Sequence, residues 1–219
     1  LLMTWESEAA FAGAAYGLDL RRRRGIHFET LDGNEARQIE PALSPKVAKG
    51  IYIPRLAHVL DPLRLTQTLA RHFALRGGTI LREAVTGFEV GPDGPTRIRT
   101  DRGSHDVSLL VIAAGVWSRG LAAQLGTSVP LEAERGYHVM FHPQDLSLRV
   151  AVMSADRYIA VTHMKEGIRA TGVAEFADPA AAPNLANAAM VRRQAQALLP
   201  RLQGEPKTEW MGPRPSHPD

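Results

Sequence analysis

Five apolar residues in a row, Leu109 to Ala113, lead into Ala114 and Gly115, and a helical pattern follows with Leu121, Ala122 and Leu125 on one side. The run is short enough for a strand buried on both faces. Ser118 is placed to cap the helix and Gly126 to stop it. The pattern predicts a buried strand, a small-residue turn and a helix. Such a turn lets a backbone approach a flat or charged group. It serves equally as a corner with no ligand.

The rest of the chain divides by the same patterning. Thr4 is placed to cap a helix reaching about Gly17, with Trp5, Ala9, Ala12 and Tyr16 near one face. An extended piece is expected over residues 26–31. Asp32 with Glu35 gives a capping-box start to a helix over 33–39, stopped by Pro41. Glu40, at its end, is expected to be structural. Residues 50–54 read as a strand. Asp61 and Pro62 open a helix that ends at Gly77-Gly78, with Leu65, Leu69 and Phe73 as its buried stripe and His72 beside it. Strands over 79–90, 96–100 and 105–113, joined by tight turns, make an antiparallel meander. A second antiparallel sheet is expected from 131–142, 149–153, 158–163 and 167–173. Residues 180–189 read as loop. A last helix over 188–199 carries Val191, Ala195 and Leu198 inward and ends at Pro200.

Composition narrows the class. The 219 residues, 44% hydrophobic and 22% charged, suit a globular protein with a real core. Net charge is +3, and the one basic cluster, Arg21 to Arg24, reads as a solvated helix end. It lacks the aromatic interleaving of a nucleic-acid surface, so no nucleic acid is expected as partner. Cysteine is absent, which excludes disulfides and thiolate metal sites. No His-Glu-x-x-His motif occurs, and no metal is expected. No apolar run reaches the roughly 20 residues of a bilayer span. The expected location is cytoplasmic, free or peripheral to the inner face of a membrane. The ends, Leu1-Leu2 and Pro218-Asp219, read as the edges of a piece of a longer protein.

The phrase from Val111 to Val139, with Ala113–Ala114–Gly115, Trp117-Ser118, Val129-Pro130-Leu131 and Arg135-Gly136 in order, resembles the FAD-dependent D-amino-acid oxidase, D-amino-acid dehydrogenase and glycine oxidase family. Glu40-Pro41-Ala42-Leu43 and Asp61, Pro62, Leu65 and Leu69 match further family phrases. The resemblance implies an α+β fold. It would contain a substrate-binding domain of antiparallel or mixed sheet with covering helices. Beside it would lie a meander and a strand–helix remnant of a Rossmann-like FAD-binding domain. The expected division is 1–78 as helical entry and start of the substrate domain, 79–127 as the FAD-domain part, and 128–219 as the substrate sheet and helix.

The resemblance also implies roles. Trp210-Met211-Gly212-Pro213-Arg214-Pro215 is similar to the family's W.G.RP motif, whose arginine binds the substrate carboxylate, so Arg214 is a catalytic candidate. A guanidinium suits that role, being planar, bidentate and always charged. Tyr158 is the second, its hydroxyl assisting the arginine. Tyr137 and His138 are candidates to line the substrate pocket. Val85, Ala113, Ala114, Gly115, Trp117 and Leu121 are candidates to contact FAD, Val85 by its backbone at the adenine end. The implied reaction is oxidation of an amino-acid C–N bond, with hydride passing from Cα to flavin N5. A secondary amine such as glycine, sarcosine or proline is the alternative substrate. A non-catalytic module that lost the cofactor site is the alternative of another class. The sequence contains no G-x-G-x-x-G. The chain alone is therefore expected to hold FAD weakly and to be inactive, and homo-oligomer formation through exposed apolar surface is expected. The amino acid and the electron acceptor stay open.

Overall fold

The computed structural model describes residues 1–142 and 146–218. In chain order the strands are β1 (Leu2–Trp5), β2 (Glu29–Asp32), β3 (Lys49–Tyr52), β4 (Val85–Gly91), β5 (Gly94–Thr100), β6 (Ser104–Asp106), β7 (Glu132–Phe141), β8 (Val152–Ser154), β9 (Ile159–Met164), β10 (Gly167–Phe176) and β11 (Pro206–Ser216). The helices are α1 (Glu8–Gly13), α2 (Ala15–Arg23), α3 (Gly33–Ile39), α4 (Pro62–Leu75), α5 (Ser118–Ala123) and α6 (Leu185–Leu198). The fold is α+β, with a mixed eight-stranded sheet in the order β11-β7-β10-β9-β8-β1-β3-β2 and a three-stranded antiparallel sheet β4-β5-β6. In the large sheet β1 runs parallel to β8, while β1 with β3, β2 with β3, β8 with β9 and β9 with β10 pair antiparallel.

Two compact units emerge. The first holds Leu1–Pro62, Gly136–Ala174 and Ala182–Gly212; the second holds Leu63–Arg135, Glu175–Ala181 and Pro213–Asp219. The units interleave along the chain because β7, β10 and β11 each carry residues of both.

The first unit buries alternate residues of β7, β9 and β10, one face of its sheet. Leu2, Tyr137, Val139, Phe141, Val152, Val161, Ile168 and Ala170 pack with Ala188, Val191, Ala195 and Leu198 of α6. Each large aliphatic side chain so buried contributes about 1.5–3 kcal/mol. The α6 stripe is the one its 3.6-residue spacing predicts. Trp5, Leu18, Ile51 and Ile53 make a smaller cluster with α1 and α2. The capping box at α3 forms as expected: Asp32 accepts from the backbone of Asn34 and Glu35, and Glu35 reaches back to the Asp32 N–H.

Several expectations fail. Thr4 caps nothing: residues 2–5 form β1, and Ser7 caps α1 instead. The helical spacing that begins at Trp5 gives way at its start to strand, because pairing with β3 and β8 decides those residues. Tyr16, grouped with Trp5 near one helix face, is exposed while Trp5 is buried. The last helix begins at Leu185, capped by Asn184, so the loop before it is shorter. Residues 206–216, for which the pattern predicts no element, form β11.

In the second unit the meander has its expected order, with tight turns at Gly94 (φ 124°) and Gly103 (φ 156°). Two apolar features there lie open. The α4 stripe of Leu65, Leu69 and Phe73 is exposed. Residues 109–113 form no strand, and Leu109 and Val111 are 82% and 76% exposed. Among the described residues β6 ends at Asp106 and no strand pairs with this run. A doubly buried strand needs neighbours on both edges and layers on both faces.

Candidate functional site

The turn after residue 113 keeps its small-residue character. Gly115 has φ +59° and opens a 3-10 turn, Gly115–Trp117, which runs into α5. Ser118 turns back, its Oγ accepting the Ala114 N–H at 3.0 Å. It therefore braces the turn and does not cap α5, whose N-cap is Trp117. Gly126 ends the unit with φ +77°: its N–H reaches the Ala123 carbonyl, and the Thr127 N–H reaches that of Ala122. This pair of bonds is the Schellman arrangement.

A Cβ added to Gly115 would meet nothing within 4 Å, and the Trp117 indole is exposed. Ala113 and Ala114 carry only methyls, and Leu121 is partly covered. These residues fit a flat group such as a flavin, because the turn presents backbone and methyls with open space at Gly115. Val85 begins β4 opposite Thr100. No glycine-rich pyrophosphate seat is present in the sequence.

Arg214 lies on β11. Its Nη2 is 2.9 Å from Glu134 Oε1 on β7, and Ser216 Oγ donates to the other Glu134 oxygen at 2.6 Å. Glu134 therefore holds the guanidinium at one edge, while 54% of the Arg214 side chain stays in solvent. Sequence spacing carries no sign of Glu134, because its place depends on which strands pair.

Within the first unit, Trp210 of β11 stacks on His138 of β7, ring centroids 4.0 Å apart and planes 9° from parallel. Gly212 explains part of the Trp-x-Gly spacing. A Cβ there would sit 3.0 Å from the indole Cζ3, so the ring folds over a position without a side chain. His138 is half-buried beneath that ring.

The two tyrosines differ from expectation. Tyr137 is fully buried in the core, and its hydroxyl accepts the Asn184 N–H at 2.9 Å at the start of α6. It packs in the core, and strand alternation turns it away from His138. Tyr158 precedes β9 in a turn, has φ +53° and is 83% exposed. Its carbonyl lies 2.6 Å from where a Cβ of Gly172 would be.

Arg169 is absent from the residues that the sequence singles out. A charged residue at the middle of an apolar strand, Gly167-Ile168-Arg169-Ala170, is the available signal. Among the described residues no group of three His, Asp or Glu is placed to hold a metal, and no helix is long and apolar enough to cross a membrane.

The comparisons agree with one another. A D-amino-acid oxidase of Bradyrhizobium diazoefficiens is 33% identical over 207 residues, covering 93% of this chain and 49% of that protein. A glycine oxidase of Pseudomonas putida is 28% identical over 192 residues, covering 86% of this chain and 52% of that protein. The chain thus spans about half the length of the curated relatives it matches. The fold matches glycine oxidase from Geobacillus kaustophilus with a TM-score of 0.89 and 21% identity, over 99% of this chain and 59% of that one. The model of the DAO family of FAD-dependent oxidoreductases matches residues 1–219, and the chain belongs to that family.

Proposed function

We propose that the whole protein oxidises the C–N bond of a D-amino acid in the cytoplasm, in the manner of a D-amino-acid dehydrogenase, and that this chain supplies much of its substrate-binding part. FAD, when bound, supplies the acceptor for the two electrons leaving Cα. The contacts to hold it would come from Ala113, Ala114, Gly115, Trp117 and Leu121, with the Val85 backbone at the adenine end.

One observation carries this reading: Arg214 is presented from a regular strand, fixed at Nη2 by Glu134, with half of its side chain open to solvent. A guanidinium so held loses little further entropy on gripping a carboxylate. Tyr158 is exposed, and within its own unit His138 stacks on Trp210. Tyr137 acts indirectly, by pinning the segment next to His138 to the start of α6.

The test is a visible spectrum and a dye-coupled substrate panel on the whole protein. Flavin bands and reduction by D- but not L-amino acids are expected. Preference for N-methyl amines would move the substrate to the secondary-amine class. Arg214→Lys should raise KM roughly ten- to hundredfold, since it removes a charge-assisted bidentate contact. A colourless protein after reconstitution with FAD overturns the proposal.

A further inference from the structure

We propose that Arg169 is an anion-binding residue, taking the carboxylate of a small organic acid on the face of the large sheet turned away from α6. Ile168 and Ala170, its neighbours on β10, are buried in the α6-side core. Alternation places Arg169 and Thr171 on the other face. The Arg169 Nε is buried, and among the described residues it has no hydrogen-bond partner. Burial pushes the guanidinium pKa down.

Other arginines of the same unit are provided for. Arg37 donates to the Val47 carbonyl and to Asn34, and Arg157 binds Glu6 and Gln194. Arg169 as a whole is only half-buried, but an N–H taken from water without a partner costs stability. An unpaired N–H on a guanidinium that solvent still reaches points to a ligand.

The surroundings name its class. Thr162 lies directly across on β9. Its hydroxyl is engaged only weakly, with the Met164 sulfur at 3.5 Å. Ala160, across from Thr171, is small. Thr162 also borders a cavity lined by Tyr52, His58 and Arg149, a wall that does not include Arg169. A planar guanidinium edge beside a hydroxyl matches a carboxylate. The choice of carboxylate over other anions rests on the amino-acid reading above; the anion site itself does not.

The Arg169 Nε–H resonance of the full chain, assigned by its loss in Arg169→Lys, reports binding directly. Acetate and glutarate should each shift it saturably, and chloride at equal ionic strength should not. Thr162→Val should weaken the acetate response by roughly three- to tenfold. Arg169→Met should unfold no earlier than the parent in denaturant. Absence of a saturable shift overturns the proposal, and so does an equal response to chloride. Earlier unfolding of Arg169→Met overturns it too, since the guanidinium would then serve packing. If acetate shifts the resonance while no amino acid reduces flavin in the whole protein, the anion site stands and the proposed activity falls.

Discussion

The carboxylate of Glu40 accepts the backbone N–H of Arg149 at 2.6 Å, joining the end of α3 to a segment 109 residues away. The same carboxylate takes the Ala42 N–H at 3.1 Å, and Glu40 is fully buried. Its role is to satisfy amides that have no strand or helix partner. Glu40→Ala strands these donors and should lower stability by about 1–3 kcal/mol, read as a shift in the urea midpoint. An unchanged midpoint would show that the bond contributes nothing.

Gly167 has φ +141°, and a Cβ there would lie 2.0 Å from the Phe141 carbonyl oxygen. Both strain and overlap act, and neither is relieved by moving a flexible side chain. Gly167→Ala should destabilise the chain by about 2 kcal/mol or more. Gly13→Ala, in helical backbone with nothing within 4 Å, should be neutral or stabilising in the same denaturation assay.

The Asp32 carboxyl is held below its ordinary value of 3.8, first by the Glu35 backbone N–H and, against a desolvation penalty, by that of Asn34. The native state thus binds its proton more weakly than the unfolded chain does. The stabilisation is complete above pH 3.8 and is lost as pH falls from there through the lower native value. Asp32→Asn keeps a cap without a titrating group, so the gap between the two proteins' melting temperatures should change only across that acid window. A gap that varies between pH 5 and 8 would contradict the assignment.

Leu109 and Val111 lie open in this chain. Replacing either with Lys should change stability by less than about 0.5 kcal/mol and should reduce self-association seen by light scattering. A loss of several kcal/mol would mean that the run is packed in solution.

Local chemistry was legible wherever the signal and its cause lie within a few residues. The Asp32–Glu35 box, the Gly126 stop, the meander turns and the inward stripe of α6 all depend on hydrogen bonds or spacings inside one element. Residues 2–5 mislead because four residues cannot establish a period, and pairing with β3 and β8 settles the matter. The W.G.RP phrase is readable as a pattern, but Glu134 as the holder of Arg214 is not.

The sequence by itself determined the family, the α+β class and which side chains carry charge or bulk. Tertiary structure alone decided which of them meet: Tyr137 inside with Asn184, His138 under Trp210, the Arg169 Nε with no partner among the described residues, and the 109–113 run without a sheet. Strand order and register set those distances. They follow from burial summed over the whole chain, which no short window of residues contains.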